Sequence, residues 1–279
     1  MKFWHYFSLI FLLIFTACSQ EDISPKQATN ETEIVQEEVP KINETPADIE
    51  EESVEGEQQK VEEENLKVEP QYKINPNNFN IEPISDASDM VVLLTIDDAP
   101  DKYALEMAKT LKELNVNAIF FVNGHFLATD EQKAVLKEIH DMGFPIGNHT
   151  MTHKNLKNLA EEQQYTEIVE LNNLVEEIIG ERPKFFRAPH GVNTDYSRQI
   201  VADEKMVLMN WSYGYDFMKD YMSKVALTDI MVNTELLHKG ANLLMHDREW
   251  TKDALKDIVV GLQNKGYSMA DPTLIETIE

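Results

Sequence analysis

The stretch LLTIDDAP, residues 93–100, runs an apolar and β-branched segment straight into two adjacent carboxylates, Asp97 and Asp98. Further along, GNHTMTH sets His149 and His153 four residues apart, RAPHG supplies Arg187 and His190, and LLMHD supplies His246. Two imidazoles and one carboxylate make a three-ligand site with open positions for water and substrate, the layout of a hydrolytic metal centre. Zinc suits the imidazoles best, although a nitrogen and oxygen site also accepts cobalt, nickel or manganese. A His-x-x-x-His pair alone is a weak signal, because such pairs often lie on a solvated face. A second carboxylate adds to it, since one can ligate the ion while the other takes a proton from the attacking water. Adjacent residues at a strand end diverge, so each aspartate is expected to serve a different partner. The competing reading is helix capping: DDAPDKYALEM leads into a helix, Asp is a favoured cap, and Asp101 is an alternative for that role.

Such residues need a scaffold, and the sequence supplies one by alternation. Strand candidates MVVLLT (90–95), AIFFV (118–122), FPIG (144–147), KFFRA (184–188), MVLMNW (206–211), ANLLM (241–245) and GYSM (266–269) are buried-strand runs. Between them lie helix candidates at 103–114, 129–143, 160–180, 194–204, 227–240 and 251–266, the second opening on capping candidates Thr129 and Asp130 and stopping at Gly143. Repeated βα units imply a parallel sheet with helices outside it, and about seven of them favour barrel-like closure. In such folds chemistry collects where strands end. Asp97, Asp98, His149, His153, Arg187, His190, the NWSYGYDF segment and His246 all fall at those ends; His5, His125, His140 and His238 do not.

The rest of the chain reads differently. Of 279 residues with formal net charge −25, the first twenty place Lys2 ahead of an apolar run that closes on FTAC. That layout is a secretory signal, too short for a span of roughly 20 residues. FTAC resembles the lipobox of bacterial lipoproteins, so residues 1–17 are expected to be removed and Cys18 lipidated. Cys18 is the only cysteine, which excludes a disulfide and any functional thiol elsewhere. Residues 21–70 hold 17 Asp or Glu against 4 Lys and almost no aromatics, a composition that buries too little surface to offset ordering entropy. Residues 18–70 are therefore expected to form a disordered acidic tether and 71–279 the folded domain, long enough for one large core. Acidity this strong argues against nucleic acid or anionic lipid as a partner.

The globular part resembles the NodB-homology domain of the polysaccharide deacetylases, carbohydrate esterase family four, through TIDDAP, HTMTH, RAPHG, NWSYGYDF and LLMH in that order. The likeness is greatest to deacetylases acting on peptidoglycan. It implies an α/β, distorted (β/α) barrel and hydrolysis of N-acetyl groups on amino sugars by a divalent metal, with zinc foremost. It also implies roles: Asp97 as base, Asp98, His149 and His153 as metal ligands, His246 as acid, and Arg187 as the group holding the base. The His190 backbone N–H would face the oxyanion, and Trp211 and Leu244 would wall the groove. The sequence departs from the family at Ile96, Ala99, His190 and Phe217. Asp216 falls about one residue short of the position expected for the Asp that orients the acid, and Asp247 is the partial substitute. The expectation is a monomeric deacetylase lipid-anchored on the outer face of a bacterial membrane. The alternative is a weakly active or inactive glycan-binding lipoprotein on the same fold.

Overall fold

The computed structural model describes residues 69–278. The leader, Cys18 and nearly all of the acidic stretch lie outside the described residues. All seven strand candidates are strands of one parallel sheet: β3 (Val91–Ala99), β4 (Ile119–Val122), β5 (Ile146–Asn148), β6 (Phe185–Phe186), β7 (Val207–Leu208), β8 (Ala241–His246) and β9 (Ser268–Met269). Ahead of them, β1 (Tyr72–Ile74) and β2 (Ile81–Pro83) form an antiparallel hairpin. The sheet runs β7-β6-β5-β4-β3-β8, with β9 pairing the first residues of β3. The chain after β7 turns to β8, where Tyr213 bridges Leu243 in parallel, so the sheet curls round on itself into the distorted barrel.

Helices cover the outside: α1 (Ala104–Glu113), α2 (Asp130–Asp141), α3 (Glu161–Tyr165) and α4 (Leu171–Ile179) joined by a π turn at Thr166–Glu170, α5 (Asp195–Asp203), α6 (Lys224–Asn233) and α7 (Glu249–Asn264). Local signals set their ends. Thr129 and Gln132 form a capping box for α2, and Gly180, in the left-handed region at φ 85°, ends α4. The helix expected over 227–240 instead occupies Lys224–Asn233: Ser223 caps it, and Thr234 leaves helical geometry, its hydroxyl accepting the Leu236 N–H.

Period-two alternation in β3 sorts the core. Val92, Leu94 and Ile96 pack outward with α1, α6 and α7, burying Met107, Leu111, Met231, Leu255 and Ile258. Leu93 faces inward, where it meets Ile119, Phe121, Phe185 and Met209. Tyr72, Ile81 and Ile275 close this inner core at the strands' N-terminal ends. Thr95 and Asp97 continue the inward face toward the C-terminal ends. Among the described residues no helix is long and apolar enough to cross a membrane.

Candidate active site

Strict alternation would turn Asp98 away from Asp97, and here the structure departs from expectation. Asp98 has φ 59°, in the left-handed region, and the pairing of β3 with β4 shifts register between Ile96 and Ala99. The irregularity re-aims one side chain, as bulges near active sites do. The two carboxylates therefore converge: Asp97 Oδ2 lies 3.5 Å and Asp98 Oδ1 3.8 Å from the same atom, His149 Nε2.

His149 follows β5 and His153 hangs on the loop beyond it. The His149 ring donates from Nδ1 to the Arg187 carbonyl at 2.7 Å, which fixes the tautomer and leaves the Nε2 lone pair facing the aspartates. His153 Nε2 lies 3.4 Å from Asp98 Oδ1. One donor atom from each of Asp98, His149 and His153 falls within 4.8 Å of the others. Burial pushes the His149 imidazole below its ordinary pKa against the pull of Asp97 and Asp98. Burial and then the neighbouring His149 push His153 down to about 4. Both rings are thus neutral donors near pH 7. Burial alone would raise the Asp98 carboxyl, but His149, His246, His153 and Arg248 together hold it below the usual carboxylate range. An anionic oxygen and two neutral nitrogens with converging lone pairs fit a divalent cation.

Asp97 is held from below. The Arg187 guanidinium, 0% exposed, donates to Asp97 Oδ1 at 2.7 Å, to Thr95 Oγ1 at 2.8 Å and to the Asn210 carbonyl at 2.8 Å, and it lies 4.4 Å over the Phe121 ring. One carboxylate oxygen is thereby anchored, and the other faces His149.

On the opposite wall, β8 pairs Asp97 with His246 in register. Asp216 is 0% exposed. Its carboxylate accepts the His246 ring Nδ1–H at 2.7 Å, the His246 main-chain N–H at 2.6 Å and the Thr251 hydroxyl at 2.8 Å. Burial would lower the His246 pKa, but the hydrogen bond and charge of Asp216, with help from Asp97 and Asp98, raise it. The apparent one-residue shortfall of Asp216 does not keep it from the imidazole. Asp247 is no substitute for it. Its carboxylate turns to the start of α1 and accepts the N–H groups of Asp101, Lys102, Tyr103 and Ala104 at 2.6–3.0 Å. The capping that the competing reading assigns to Asp97, Asp98 or Asp101 is thus performed by Asp247, from another strand end.

The rim is made by RAPHG and the segment after β7. His190, at φ 58°, is exposed in the turn Pro189–Gly191, and its ring lies 5.1 Å from that of His153. Trp211 packs so close to Gly191 that a Cβ there would lie 3.0 Å from the indole, at φ 67°. Leu244, 2% exposed, shares the inward face of β8 with His246 and backs the site from one layer below, so it walls no open groove. Phe217, 49% exposed, sets its ring 5.8 Å from His246. Arg248 escaped the sequence reading; it donates to Asp98 Oδ2 at 2.7 Å, and its place beside LLMHD was the available signal. Thr95, Thr251 and Trp250, whose indole N–H donates to the Asp216 carbonyl at 2.8 Å, carried no signal of their own.

Residues 85–209 match the model of the polysaccharide deacetylase family. A peptidoglycan-N-acetylglucosamine deacetylase of Bacillus cereus is 30% identical over 193 residues, which cover 64% of this chain and 85% of that protein. The chain belongs to the polysaccharide deacetylase family. Another polysaccharide deacetylase with that name, also from Bacillus cereus, is 26% identical over 193 residues, covering 67% of this chain and 68% of its own. Among solved structures, the wild-type form of a CE4 family pseudoenzyme from Bacillus anthracis is similar at TM-score 0.60 and 27% identity, over 66% of this chain and 64% of that one. A mutant of it with restored enzymatic activity is 29% identical at TM-score 0.60, over 66% of each chain. Polysaccharide deacetylases of this family thus include both working and silent sites on one fold.

Proposed function

We propose that the protein is a metal-dependent hydrolase that removes N-acetyl groups from the amino sugars of peptidoglycan. The observation that carries this reading is the convergence of three separate provisions on one spot: the Asp98–His149–His153 donor set, the anchored Asp97 on one side, and the charged pair His246–Asp216 on the other. The names of the relatives support the substrate class.

Asp98, His149 and His153 would hold a divalent cation, which would supply Lewis acidity toward the carbonyl oxygen and a better water nucleophile at neutral pH. Asp97 Oδ2 accepts the proton of the attacking water, while Arg187 keeps Oδ1 occupied and the carboxylate in one orientation. The His190 backbone N–H, presented by the left-handed turn, donates to the oxyanion as the carbonyl becomes tetrahedral. His246, kept protonated by Asp216, gives its proton to the departing nitrogen. Trp211 and the exposed Phe217 ring border the space that a sugar would enter, with Leu244 buried beneath the site as packing.

The alternative, a glycan-binding protein with little turnover, is favoured by the likeness to the pseudoenzyme. Acetate release from purified peptidoglycan decides between the two. Masses of the muropeptides after digestion then assign the deacetylated sugar. We further propose the outer face of the membrane as the location, through lipidated Cys18. Cys18→Ser is expected to free the protein from membranes; sedimentation with them at high salt would refute the lipid anchor.

A further inference from the structure

We infer that Glu167 is a positioning residue for the metal site, holding His153 in place from beneath. The inference rests on the metal-site reading above. His149 is braced through its second ring nitrogen by the Arg187 carbonyl. Among the described residues the His153 ring has no such brace, so its aim depends on the backbone that carries it. That backbone is unusual: Thr150 has φ 72° and His153 φ 56°, two non-glycine residues in the left-handed region three positions apart. Such conformations persist only where the surroundings over-determine them.

Glu167 supplies much of that determination. It is buried, and its carboxylate accepts both the main-chain N–H of Thr152, at 2.7 Å, and the Thr152 hydroxyl. Its own carbonyl accepts the Met151 N–H at 2.9 Å. One residue therefore fixes both positions between the two left-handed ones. The π turn at Thr166–Glu170 makes this possible. The Leu171 N–H bonds the Ile168 carbonyl, which releases the Glu167 carbonyl from the helix to reach the loop. Met151 is clamped from the other side as well, since a Cβ on Gly124 would lie 2.3 Å from its sulfur and its carbonyl accepts the His125 N–H at 2.8 Å.

The test is the zinc dissociation constant of the full chain, measured by competition with a chromogenic chelator at neutral pH. Glu167→Ala is expected to weaken zinc binding about 10- to 100-fold, the effect of losing a group that orients a ligand. Glu167→Gln keeps an acceptor for the Thr152 N–H and is expected to stay close to wild type, which a role for the charge alone would not allow. Leu262→Ala, in the outer core on α7, serves as a control matched for loss of melting temperature, and its zinc affinity is expected to be unchanged. Equal zinc affinity in wild type and Glu167→Ala, or equal weakening in Leu262→Ala, overturns the inference while leaving the metal site standing. A wild-type protein that binds no zinc removes the metal-site reading, and this inference with it. Should Glu167→Ala not fold, Thr152→Val decides: it loses the hydroxyl contact alone, several-fold weaker binding is expected, and unchanged binding overturns the proposal.

Discussion

Asp216 grips His246 at two points, taking the ring N–H on one carboxylate oxygen and the main-chain N–H on the other. The imidazole can neither flip nor translate along β8 without breaking a charge-assisted hydrogen bond in a buried place. Asp216→Asn keeps the shape and removes the charge that raises the His246 pKa. The alkaline limb of the rate profile is therefore expected to move toward acid, tracked by NMR titration of the ring. A limb that stays put excludes Asp216 from tuning the acid. Stability follows the same sign: a raised folded pKa stabilises fully below the ordinary histidine value of about 6.5, and that contribution fades as pH climbs through the folded pKa. The variant's extra instability should thus be largest on the acid side.

Metal retention should outlast ordinary histidine chemistry on acidification. A typical imidazole begins to exchange metal for protons near pH 6.5, whereas His153 is pushed down to about 4. Zinc content after dialysis across a pH series is expected to hold until the pH nears that lower value. Loss already at the ordinary histidine pKa would contradict the neutral donors. In the metal-free protein the lowered pKa values of His149 and His153 mean that the unfolded state binds more protons in this window, so stability should rise with pH through it.

The two adjacent aspartates should separate under mutation. Asp98→Ala removes one of three donors and is expected to strip the metal together with turnover, as His149→Ala and His153→Ala should. Asp97→Asn cannot take a proton but fills the same space, so metal should remain while turnover falls by about two to four orders of magnitude. Elemental analysis beside acetate release reads both quantities. Equal metal loss in Asp97→Asn and Asp98→Ala would end the division of labour.

Arg187 ties the inner core to the site, and its removal should be felt as a folding defect as much as a kinetic one. Arg187→Ala leaves Asp97 buried without its cation and opens space against Phe121. A loss of about 3–5 kcal/mol in urea denaturation is expected, the range for breaking a buried pair. Lysine should not rescue it, because one ammonium cannot reach Thr95, Asp97 and the Asn210 carbonyl with the geometry of a planar fork. A surface-like loss under about 0.5 kcal/mol would show that this layer relaxes easily.

Asp247→Ala is expected to cost stability without touching the chemistry directly. It frees four N–H groups at the start of α1, and loss of a single cap costs about 0.5–2 kcal/mol, so the effect should reach or exceed the top of that range. The acid-to-nitrogen limb of the rate profile should keep its position. Movement of that limb would return Asp247 to a part in tuning His246.

The barrel was legible because its strands are continuous apolar runs, a pattern that survives whatever the loops do. The convergence of Asp97 and Asp98 was not legible. It depends on a left-handed backbone at an aspartate, and an aspartate visits that region only occasionally, so its presence does not signal it as a glycine's does. The same holds for Thr150, His153 and His190. Asp216 stands one residue short of the family spacing and still reaches His246, because the loop after β7 sets its own path and residue number along a loop fixes no distance. Asp247, next to the proposed acid His246, has a sequence position that suggests a part in the chemistry, and only three-dimensional packing reveals that it faces α1. Strands β1 and β2, at three residues each, are too short to show any period.

That small hairpin also decides which fusions the domain will tolerate. Tyr72 and Ile81 stopper the barrel at the strands' N-terminal ends, whereas Asp97, His149 and His246 lie at the C-terminal ends. The nine residues of β3 alone set these poles about 30 Å apart, at roughly 3.3 Å per residue. A reporter, bead or surface coupled directly at residue 69 is thus held at the far pole, with the mouth presented outward to polymeric material. Cargo grafted into the loop at Phe217–Met222 would stand across the entrance and exclude long chains while admitting small ones.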